Sequence, residues 1–302
     1  MFKHVIIGVD ERQGGRDAIA LGRRLVDPSG ETTLVNVHVA AADPWRGTSP
    51  AEEAAEHEKS IKLLASLQEQ VGVEARVRTI GATSPGRGLH IAAEEDKADL
   101  LVVGSSHMGL LGRVLIGDDT RAALDGAPCA VAIAPAGYAR EPELMREIGV
   151  GYNGSPESEH AVAFARRLAK ELGANLSAFE AVAIPTYAFT GGYALVDQET
   201  IDDLIDSARE RVAALPGVEA HAAYGYPDEE LTVYSASLDL LVVGSRSYGP
   251  LGRLVHGSTT LKLARTARCP LLVLTRAARV QDTGAQDEAT TTPAQPVTRS
   301  LP

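Results

Sequence analysis

Residues 239–260 read DLLVVGSRSYGPLGRLVHGSTT, and residues 99–120 read DLLVVGSSHMGLLGRVLIGDDT. The two stretches share an aspartate, an apolar run and a set of glycines at the same spacing, 140 residues apart. An unbroken run such as Leu-Leu-Val-Val is typical of a strand that is covered on both faces, as in a parallel sheet. The repeat therefore indicates two copies of one domain built around parallel strands.

The duplication extends along both halves, where apolar runs alternate with amphipathic stretches in the same order. The first half contains five predicted strands: His4–Val9, Thr33–Val39, Val73–Ile80, Leu100–Val103 and Ala130–Ala134. The second half contains their counterparts: Ile148–Tyr152, Leu176–Val182, Val218–Tyr224, Leu240–Val243 and Leu271–Thr275. Strands separated by helices form right-handed parallel crossovers. The predicted fold class is α/β, with two tandem doubly wound, five-stranded parallel-sheet domains of the Rossmann-like kind.

The helices follow the same duplication. Helices are predicted at Asp17–Val26 and Pro156–Leu172, after the first strand of each half. A second helix opens at Ser49-Pro50, where capping-box spacing coincides with proline at the first helical position, and its counterpart is Glu199–Leu215. This second helix is expected to turn three apolar side chains inward: Ile61, Leu64 and Val71.

Composition suggests where the domains end. We expect one domain over residues 1–138 and the other over residues 145–277. The charged, proline-containing segment of residues 136–146 is expected to connect them. The last residues, 278–302, are poor in large apolar side chains, so burial cannot offset the entropy of ordering them. A disordered C-terminal tail is therefore predicted there.

Charge and composition exclude several classes of protein. The chain of 302 residues has a net charge of -11 and no basic cluster, which argues against nucleic acids and anionic membranes as partners. It has no run of 18 apolar residues, so a membrane-spanning helix is not expected. The two cysteines, Cys129 and Cys269, stand at equivalent places beside buried-looking strands and are expected to be inert core thiols. A cytoplasmic protein fits these observations.

A ligand is expected at the carboxyl ends of the strands, in the gap between strands one and four of each half. Asp10 and Gly104 end those strands in the first half, and Asn153 and Gly244 end them in the second. The glycine loop that follows is slim enough for an anion to reach backbone N–H groups. The sequence therefore predicts a site at this edge of each sheet.

The two halves differ where the loop ends in a helix. After Gly257, Ser258-Thr259 begins a helix whose first N–H groups lack internal partners and can hold phosphate. In the first half, Asp118-Asp119 follows Gly117, and these carboxylates would satisfy the same N–H groups and repel phosphate. The second half is therefore predicted to be the better phosphate site. Glycine-rich turns that only pack a helix on a sheet remain the alternative.

Sequence motifs for other chemistries are either absent or lie at the wrong place relative to the predicted strands. Gly149-Val-Gly151-Tyr-Asn-Gly154 matches the dinucleotide-binding pattern, but two of its glycines fall inside a predicted strand rather than after it. There is no Gly-Lys pair for a Walker A loop, no His-Glu-x-x-His, no Cys-x-x-Cys and no Gly-x-Ser-x-Gly. A catalytic triad scattered along the chain stays open. We expect a protein that is not an enzyme.

These features resemble the universal stress protein family. The resemblance covers about residues 3–135 and 146–276. It is carried by the repeated Asp-Leu-Leu-Val-Val-Gly-Ser segment, the glycine loop, the Asn153-Gly154-Ser155-Pro156 turn and Cys269-Pro270. Members with the full glycine pattern bind ATP, so the resemblance implies a nucleotide site and ATP as the cofactor, with Mg²⁺ and weak ATP hydrolysis left open. The implied ligand-contacting residues are Asp10, Val39, Gly104 and Gly117 in the first half, and Asn153, Ala181, Gly244, Gly257, Ser258 and Thr259 in the second.

The chain departs from the family pattern in both halves. His107 and Ser247 stand where the family has its second glycine, Asp118 replaces the hydroxyl residue, and Asn153 replaces an aspartate. Two function classes therefore remain: a nucleotide-binding stress-response regulator with an unknown protein partner, or a scaffold that binds no nucleotide. In both, the two halves are expected to pair as an intramolecular pseudo-dimer, and a further homodimer of whole chains stays open.

Overall fold

The chain folds into a single ten-stranded sheet with helices on both faces. The computed structural model describes residues 1–39, 50–71, 75–105, 118–140, 144–183, 197–245 and 258–274. The strands are β1 Phe2–Gly8, β2 Val26–Val39, β3 Arg76–Ala82, β4 Leu100–Gly104, β5 Ala130–Ala134, β6 Glu147–Tyr152, β7 Asn175–Val182, β8 Glu219–Tyr224, β9 Leu240–Gly244 and β10 Leu271–Leu274. The helices are α1 Gln13–Leu25, α2 Pro50–Val71, α3 Pro85–Glu95, α4 Asp118–Leu124, α5 Pro156–Leu172, α6 Gln198–Ala213, α7 Pro227–Tyr234 and α8 Ser258–Thr266.

The strand order is β3-β2-β1-β4-β5-β10-β9-β6-β7-β8. Within each half the strands run parallel, and chain order reverses direction across the gap between β1 and β4 or between β6 and β9. The predicted fold class, two doubly wound α/β repeats with parallel five-stranded sheets, is confirmed. The two sheets meet because β5 and β10 pair antiparallel, with Leu272 opposite Ala132.

Two apolar cores lie on the two faces of this sheet. One core contains Ile7, Leu34 and Leu64 of the first half together with Ile148 and Val212 of the second. The other core lies under the α3, α4, α7 and α8 helices and also draws on both halves. Each fully buried Leu or Ile contributes about 1.5–3 kcal/mol relative to an exposed one, so the halves share much of their stability.

Helices α1 and α2 differ from the sequence prediction, the first in its start and the second in its buried face. Helix α1 begins at Gln13, four residues before the predicted start, because Gly14 and Gly15 have poor helix propensity yet are held in the first turn by packing. In α2, Ile61 is 47% exposed, so its predicted inward position is wrong. The buried positions are Ser60, Leu64 and Leu67, which share one helix face, and the side chain of Val71 lies outside the described residues.

In the described part of the chain, no helix has the length and apolar character needed to cross a membrane. Residues 278–302, for which a disordered tail was predicted, lie outside the described residues.

Candidate functional site

A cleft of about 380 Å³ lies at the carboxyl ends of β1, β2 and β4 in the first half. It opens at the gap between β1 and β4, where α1 packs on one face of the sheet and α4 on the other, which is the usual ligand position in doubly wound sheets. Asp10 and Gly104, two of the predicted site residues, lie on its lining. Other lining residues come from the β1–α1 connection, β2 and α2: Glu11, Arg12, Asn36, His38, Glu56 and Lys59.

The Asp10 side chain makes one structural hydrogen bond and remains partly exposed. Its Oδ1 accepts a hydrogen bond from the backbone N–H of Arg12 at 3.0 Å, which fixes the turn into α1. About half of the Asp10 side chain stays exposed, and the Arg12 Nε lies 3.8 Å from Oδ2. The carboxylate can therefore accept further hydrogen bonds from hydroxyl groups in the cleft.

Asn153 occupies the position of Asp10 in the second half, since β6 and β9 pair in the same register as β1 and β4. Its Oδ1 accepts from the backbone N–H of Ser155 at 3.1 Å and from the Ser155 hydroxyl at 2.6 Å. Ser155 in turn accepts from the N–H of Ser158 and caps α5. The second half thus keeps the turn geometry and replaces the carboxylate by a neutral amide.

Gly104 and Gly244 are required by close packing. A Cβ on Gly104 would lie 2.0 Å from the carbonyl oxygen of Gly14, and a Cβ on Gly244 would lie 2.3 Å from that of Glu157. Both contacts are far inside van der Waals distance, so any side chain would push the first turn of α1 or α5 away from the sheet. Packing alone explains these two glycines, whether or not a ligand binds.

Two polar residues of β2 form a wall of the cleft that the sequence analysis missed. The buried Asn36 donates from Nδ2 to the carbonyl oxygen of Val9 at 2.8 Å. The His38 ring lies beside Gly81, where a Cβ would sit 3.0 Å from Nε2, and its Nδ1 is buried without a hydrogen-bond partner. The available signal was the alternation Val35-Asn36-Val37-His38-Val39, which places polar side chains inside an otherwise apolar strand.

The cleft carries charges of both signs. Lys59 of α2 lies 3.0 Å from the carboxylate of Glu11, and this hydrogen bond raises the pKa of the Lys59 ammonium. Both side chains are more than half exposed, so the pair is screened by water and can exchange partners. The carboxylates of Asp10, Glu11 and Glu56 line the cleft together with the cations of Arg12 and Lys59. A polyanionic ligand would be repelled by the carboxylates and attracted only where it contacts the cations or backbone N–H groups.

The corresponding wall in the second half has different chemistry. By strand register, Glu180 takes the place of Asn36 and Tyr152 that of Val9. Arg211 of α6 donates to Glu180 Oε1 at 2.7 Å, while Glu180 Oε2 is buried without a partner. Burial, reinforced by the charges of Glu159 and Glu180, raises the pKa of Tyr152. An ion pair therefore stands where the first half has a neutral amide.

Register also locates the two positions predicted near the ends of the second strands. Gly8 pairs with Val35 and Gly151 with Phe179, so Ala181 is equivalent to Val37. Val39 lies two residues further along β2, and its side chain is outside the described residues. The predicted positions Val39 and Ala181 are therefore not equivalent, because they lie two residues apart along the second strand of each half.

The helices after the glycine loops begin at the predicted residues, Asp118 for α4 and Ser258 for α8. Thr259 in the first turn of α8 is partly exposed, and Lys262 in the next turn donates to Asp228 at 2.9 Å. Gly117 and Gly257, with His107 and Ser247, lie outside the described residues, as do the side chains of Asp118 and Ser258.

The dinucleotide-binding pattern is explained by packing. Gly149 and Gly151 lie within β6, as the repeat predicted. A Cβ on Gly149 would lie 2.3 Å from Leu238 Cδ1 and 2.7 Å from the Tyr234 hydroxyl, so this glycine makes room for core side chains. The pattern therefore does not describe a phosphate-binding turn.

Metal and thiol chemistry have no support in the described residues, which contain no group of three His, Cys, Asp or Glu side chains able to hold an ion. Cys129 and Cys269 are both 5% exposed, and neither forms a disulfide bond. Burial raises the pKa of the Cys129 thiol to about 12, so it stays protonated at neutral pH and is a poor nucleophile.

The fold and the cleft define a class: a tandem duplication of a doubly wound α/β domain, with a ligand-sized crevice at the strand-order reversal of its first copy. The sequence profile of the Universal stress protein family matches residues 1–135 and 145–275. The chain belongs to the universal stress protein family.

Known proteins resemble the chain over different lengths. Universal stress protein Rv2005c of Mycobacterium tuberculosis is 31% identical over 188 residues, which are 59% of this chain and 62% of that protein, less than two thirds of its length. A universal stress protein of Mycolicibacterium smegmatis is 26% identical over 292 residues, covering 89% of this chain and 96% of the relative. The crystal structure of a universal stress protein from Archaeoglobus fulgidus shares the fold, with a TM-score of 0.64, 16% identity, and coverage of 90% and 98%.

Proposed function

We propose that the chain binds a nucleotide of the ATP type at the carboxyl edge of its sheet and acts as a stress-response regulator without committed turnover. The observation that carries the proposal is the cleft of about 380 Å³ at the β1–β4 gap, with the half-exposed carboxylate of Asp10 at its wall. Clefts of roughly 300–1,000 Å³ with a few converging polar groups are typical of small-molecule sites. Membership of the universal stress protein family supports the same assignment.

In this proposal each part of the nucleotide has its own contact. Asp10, or Asn153 in the second half, accepts from ribose hydroxyls, while the ends of β2 and β7 near Val39 and Ala181 border the base. The phosphates extend past Gly104 or Gly244 towards the glycine loop, with Gly117 in the first half and Gly257, Ser258 and Thr259 in the second. Mg²⁺ bound to the phosphates would lower the repulsion from the carboxylates that line the cleft.

The two halves are proposed to differ in affinity. The second half has hydroxyl residues at the start of α8, a helix of nine residues, whereas α4 has seven and starts with Asp118-Asp119. A carboxylate at a helix start competes with phosphate for the same N–H groups. We therefore assign the tighter phosphate contact to the second half, although the described cleft lies in the first.

Thermal denaturation with and without ATP and Mg²⁺ tests the proposal. Ligand at 100 times its dissociation constant adds about 2.7 kcal/mol to the free energy of unfolding, which raises the melting temperature measurably. The matched variants Gly117→Asp and Gly257→Asp each place a carboxylate in one loop. Gly257→Asp is expected to lose most of the ATP-dependent shift, and Gly117→Asp little of it.

Two results would contradict the proposal in different ways. If millimolar ATP with Mg²⁺ leaves the wild-type melting temperature unchanged, the chain is not a nucleotide-binding protein. If the shift survives Gly257→Asp and disappears in Gly117→Asp, the nucleotide binds and the assignment to the second half is wrong.

The alternative, a scaffold that binds no nucleotide, has two observations in its favour. The antiparallel β5–β10 pair and the core shared by the two halves would make duplication useful for stability alone. Absence of co-purifying nucleotide together with an unchanged melting temperature would favour this alternative.

A further inference from the structure

The cleft at the carboxyl ends of β1, β2 and β4 carries more negative than positive charge. Among the described residues that line it, three are acidic and two are basic: Asp10, Glu11, Glu56, Arg12 and Lys59. The ammonium of Lys59 lies 3.0 Å from Glu11, and this hydrogen bond, reinforced by the charge of Glu56, raises the pKa of Lys59. The Nε of Arg12 lies 3.8 Å from Asp10 Oδ2. Each cation of the described lining therefore faces a carboxylate before a ligand enters.

The helix that follows β4 also disfavours phosphate. Helix α4 has seven residues and begins Asp118-Asp119. The Thr120 hydroxyl in its first turn donates to the carbonyl oxygen of Gly104 at 3.1 Å, so its hydrogen is already used within the protein. Because a phosphate group carries a charge of about −1.5 to −2 at neutral pH, the excess of carboxylates around the cleft would repel it.

The wall formed by β2 offers an amide and an imidazole ring. Asn36 is 8% exposed and donates from Nδ2 to the carbonyl oxygen of Val9, which leaves its amide oxygen as an acceptor. His38 also lines the cleft, and its Nδ1 is buried without a hydrogen-bond partner. A buried polar atom in this state is unfavourable, and a ligand group that hydrogen-bonds to it removes the penalty.

The size and the apolar part of the cleft fit a small ligand with a flat ring. Its volume of about 380 Å³ lies near the lower end of the roughly 300–1,000 Å³ typical of small-molecule sites. Val35, Leu63 and Val103 contribute apolar side chains to the lining. The half-exposed carboxylate of Asp10 can accept hydrogen bonds from hydroxyl groups. A heterocyclic base joined to a hydroxylated sugar matches this combination.

We propose that this first-half cleft binds an uncharged nucleoside in preference to a nucleotide, with Asp10 accepting from the sugar hydroxyls and Asn36 and His38 contacting the base. The inference rests on the proposed function, which supplies the class of ligand. It divides the two halves by the charge of what they bind: a nucleoside in the first and a phosphorylated nucleotide in the second.

Isothermal titration calorimetry with adenosine and with AMP tests the proposal. The chain used is Gly257→Asp, in which the second half is expected to lose its phosphate contact. Adenosine should bind this chain at least about tenfold more tightly than AMP. Because adenosine is uncharged, its dissociation constant should change little between about 50 and about 500 mM salt.

Removal of the two acids that face Lys59 tests the electrostatic cause. In the double variant Glu11→Gln/Glu56→Gln, made in the same chain, AMP should bind about tenfold more tightly than before, while the affinity for adenosine should change less than about twofold. Glu58→Gln is the matched control, because Glu58 lies on the same helix and pairs with Lys62 outside the cleft lining. The control should leave both affinities unchanged.

Two variants of His38 test the contact with the base. His38→Phe keeps an aromatic ring and removes Nδ1, so adenosine should bind at least about fivefold more weakly. His38→Asn returns a polar atom close to the position of Nδ1 and should recover part of that loss. Circular dichroism and the melting temperature without ligand show whether both variants keep the fold.

Several results would overturn the proposal. These are an adenosine titration without heat of binding, AMP that binds Gly257→Asp as tightly as adenosine does, and an AMP affinity that the double glutamine variant leaves unchanged. Adenosine binding that is equally strong in folded His38→Phe would overturn the base contact. If ATP raises the wild-type melting temperature and adenosine does not bind, this inference alone is wrong. A chain that binds neither ligand contradicts the proposed function as well.

Discussion

Asp17 in α1 accepts a hydrogen bond from the backbone N–H of Gly137, with 2.8 Å between the nitrogen and Oδ2, although the two residues are 120 positions apart. The other carboxylate oxygen accepts from the N–H of Ala139, also at 2.8 Å. Asp17 is completely buried. This carboxylate therefore holds the start of the 3₁₀ turn Tyr138–Arg140, through which the chain leaves the first half.

Replacing Asp17 by alanine is expected to lower the free energy of unfolding by about 3 kcal/mol, because two partly buried N–H groups lose a charged acceptor. Urea denaturation followed by circular dichroism measures the loss. Asp27→Ala is the matched control, since Asp27 also accepts from a backbone N–H, that of Ser29, but on the surface. A loss no larger than that of the control would show that Asp17 does not stabilise the connector.

Asp99 and Asp239 anchor the starts of β1 and β6 in different ways. Asp99 uses both oxygens, one for the N–H of Lys3 and one for that of His4. Asp239 uses Oδ2 alone for the N–H groups of Arg146 and Glu147. The single oxygen of an asparagine can replace the latter arrangement and not the former.

Asp99→Asn is therefore expected to cost about 1–2 kcal/mol more than Asp239→Asn. The comparison of urea midpoints between the two variants measures the difference. Equal losses would mean that the number of accepting oxygens is not what separates the two anchors.

Gly104→Ala should destabilise the chain by about 1–3 kcal/mol, because its Cβ would overlap the carbonyl oxygen of Gly14. Gly14→Ala is the matched control: its Cβ would lie 3.5 Å from the carbonyl oxygen of Ser105, an ordinary contact, and alanine favours helix. That variant should be neutral or more stable by up to about 1 kcal/mol. Thermal denaturation of both variants checks the contrast, and an equally stable Gly104→Ala would contradict it.

The Cys129 thiol should make stability depend on alkaline pH. Its folded-state pKa is raised by burial from 9.0 to about 12, so the unfolded chain loses the proton first as the pH rises. The stability linked to this group is fully present below about pH 9. Above that pH it falls by about 1.4 kcal/mol per unit until the folded pKa is reached.

The measurement is the difference in unfolding free energy between the wild type and Cys129→Ala from pH 8 to pH 10.5, chosen to fall in this window. The wild type should lose stability more steeply than the variant, since the variant keeps every other titrating group. Parallel curves would show that Cys129 does not contribute.

The fold was predictable because its signals are local. Parallel strands covered on both faces require continuous apolar runs, and Leu100–Val103 and Leu240–Val243 appear in the structure at the predicted places. The misplacement of Ile61 has a physical cause: α2 is apolar on more than one side, and only the packing partner selects the buried face.

The candidate site was predictable in position and less so in detail. Asp10 and Gly104 border the cleft because both follow strands that end at the same edge of the sheet. Asn36 and His38 were missed because the alternation over residues 35–39 shows that two polar side chains share one face of the strand, and only the tertiary structure shows that this face borders a cleft. The ion pair of Glu180 with Arg211 joins residues 31 positions apart and follows from no spacing rule.

The sequence by itself determined the duplication, the alternation of strands and helices and the edge of the sheet at which the cleft opens, since each depends on residues close together in the chain. Only the tertiary structure decided that β5 and β10 join the halves into one sheet, that Asp17 holds the connector, and that the two halves carry different polar groups beside the strand-order reversal. These features depend on distant residues meeting in three dimensions. Backbone pairing and burial, which no local pattern encodes, select them.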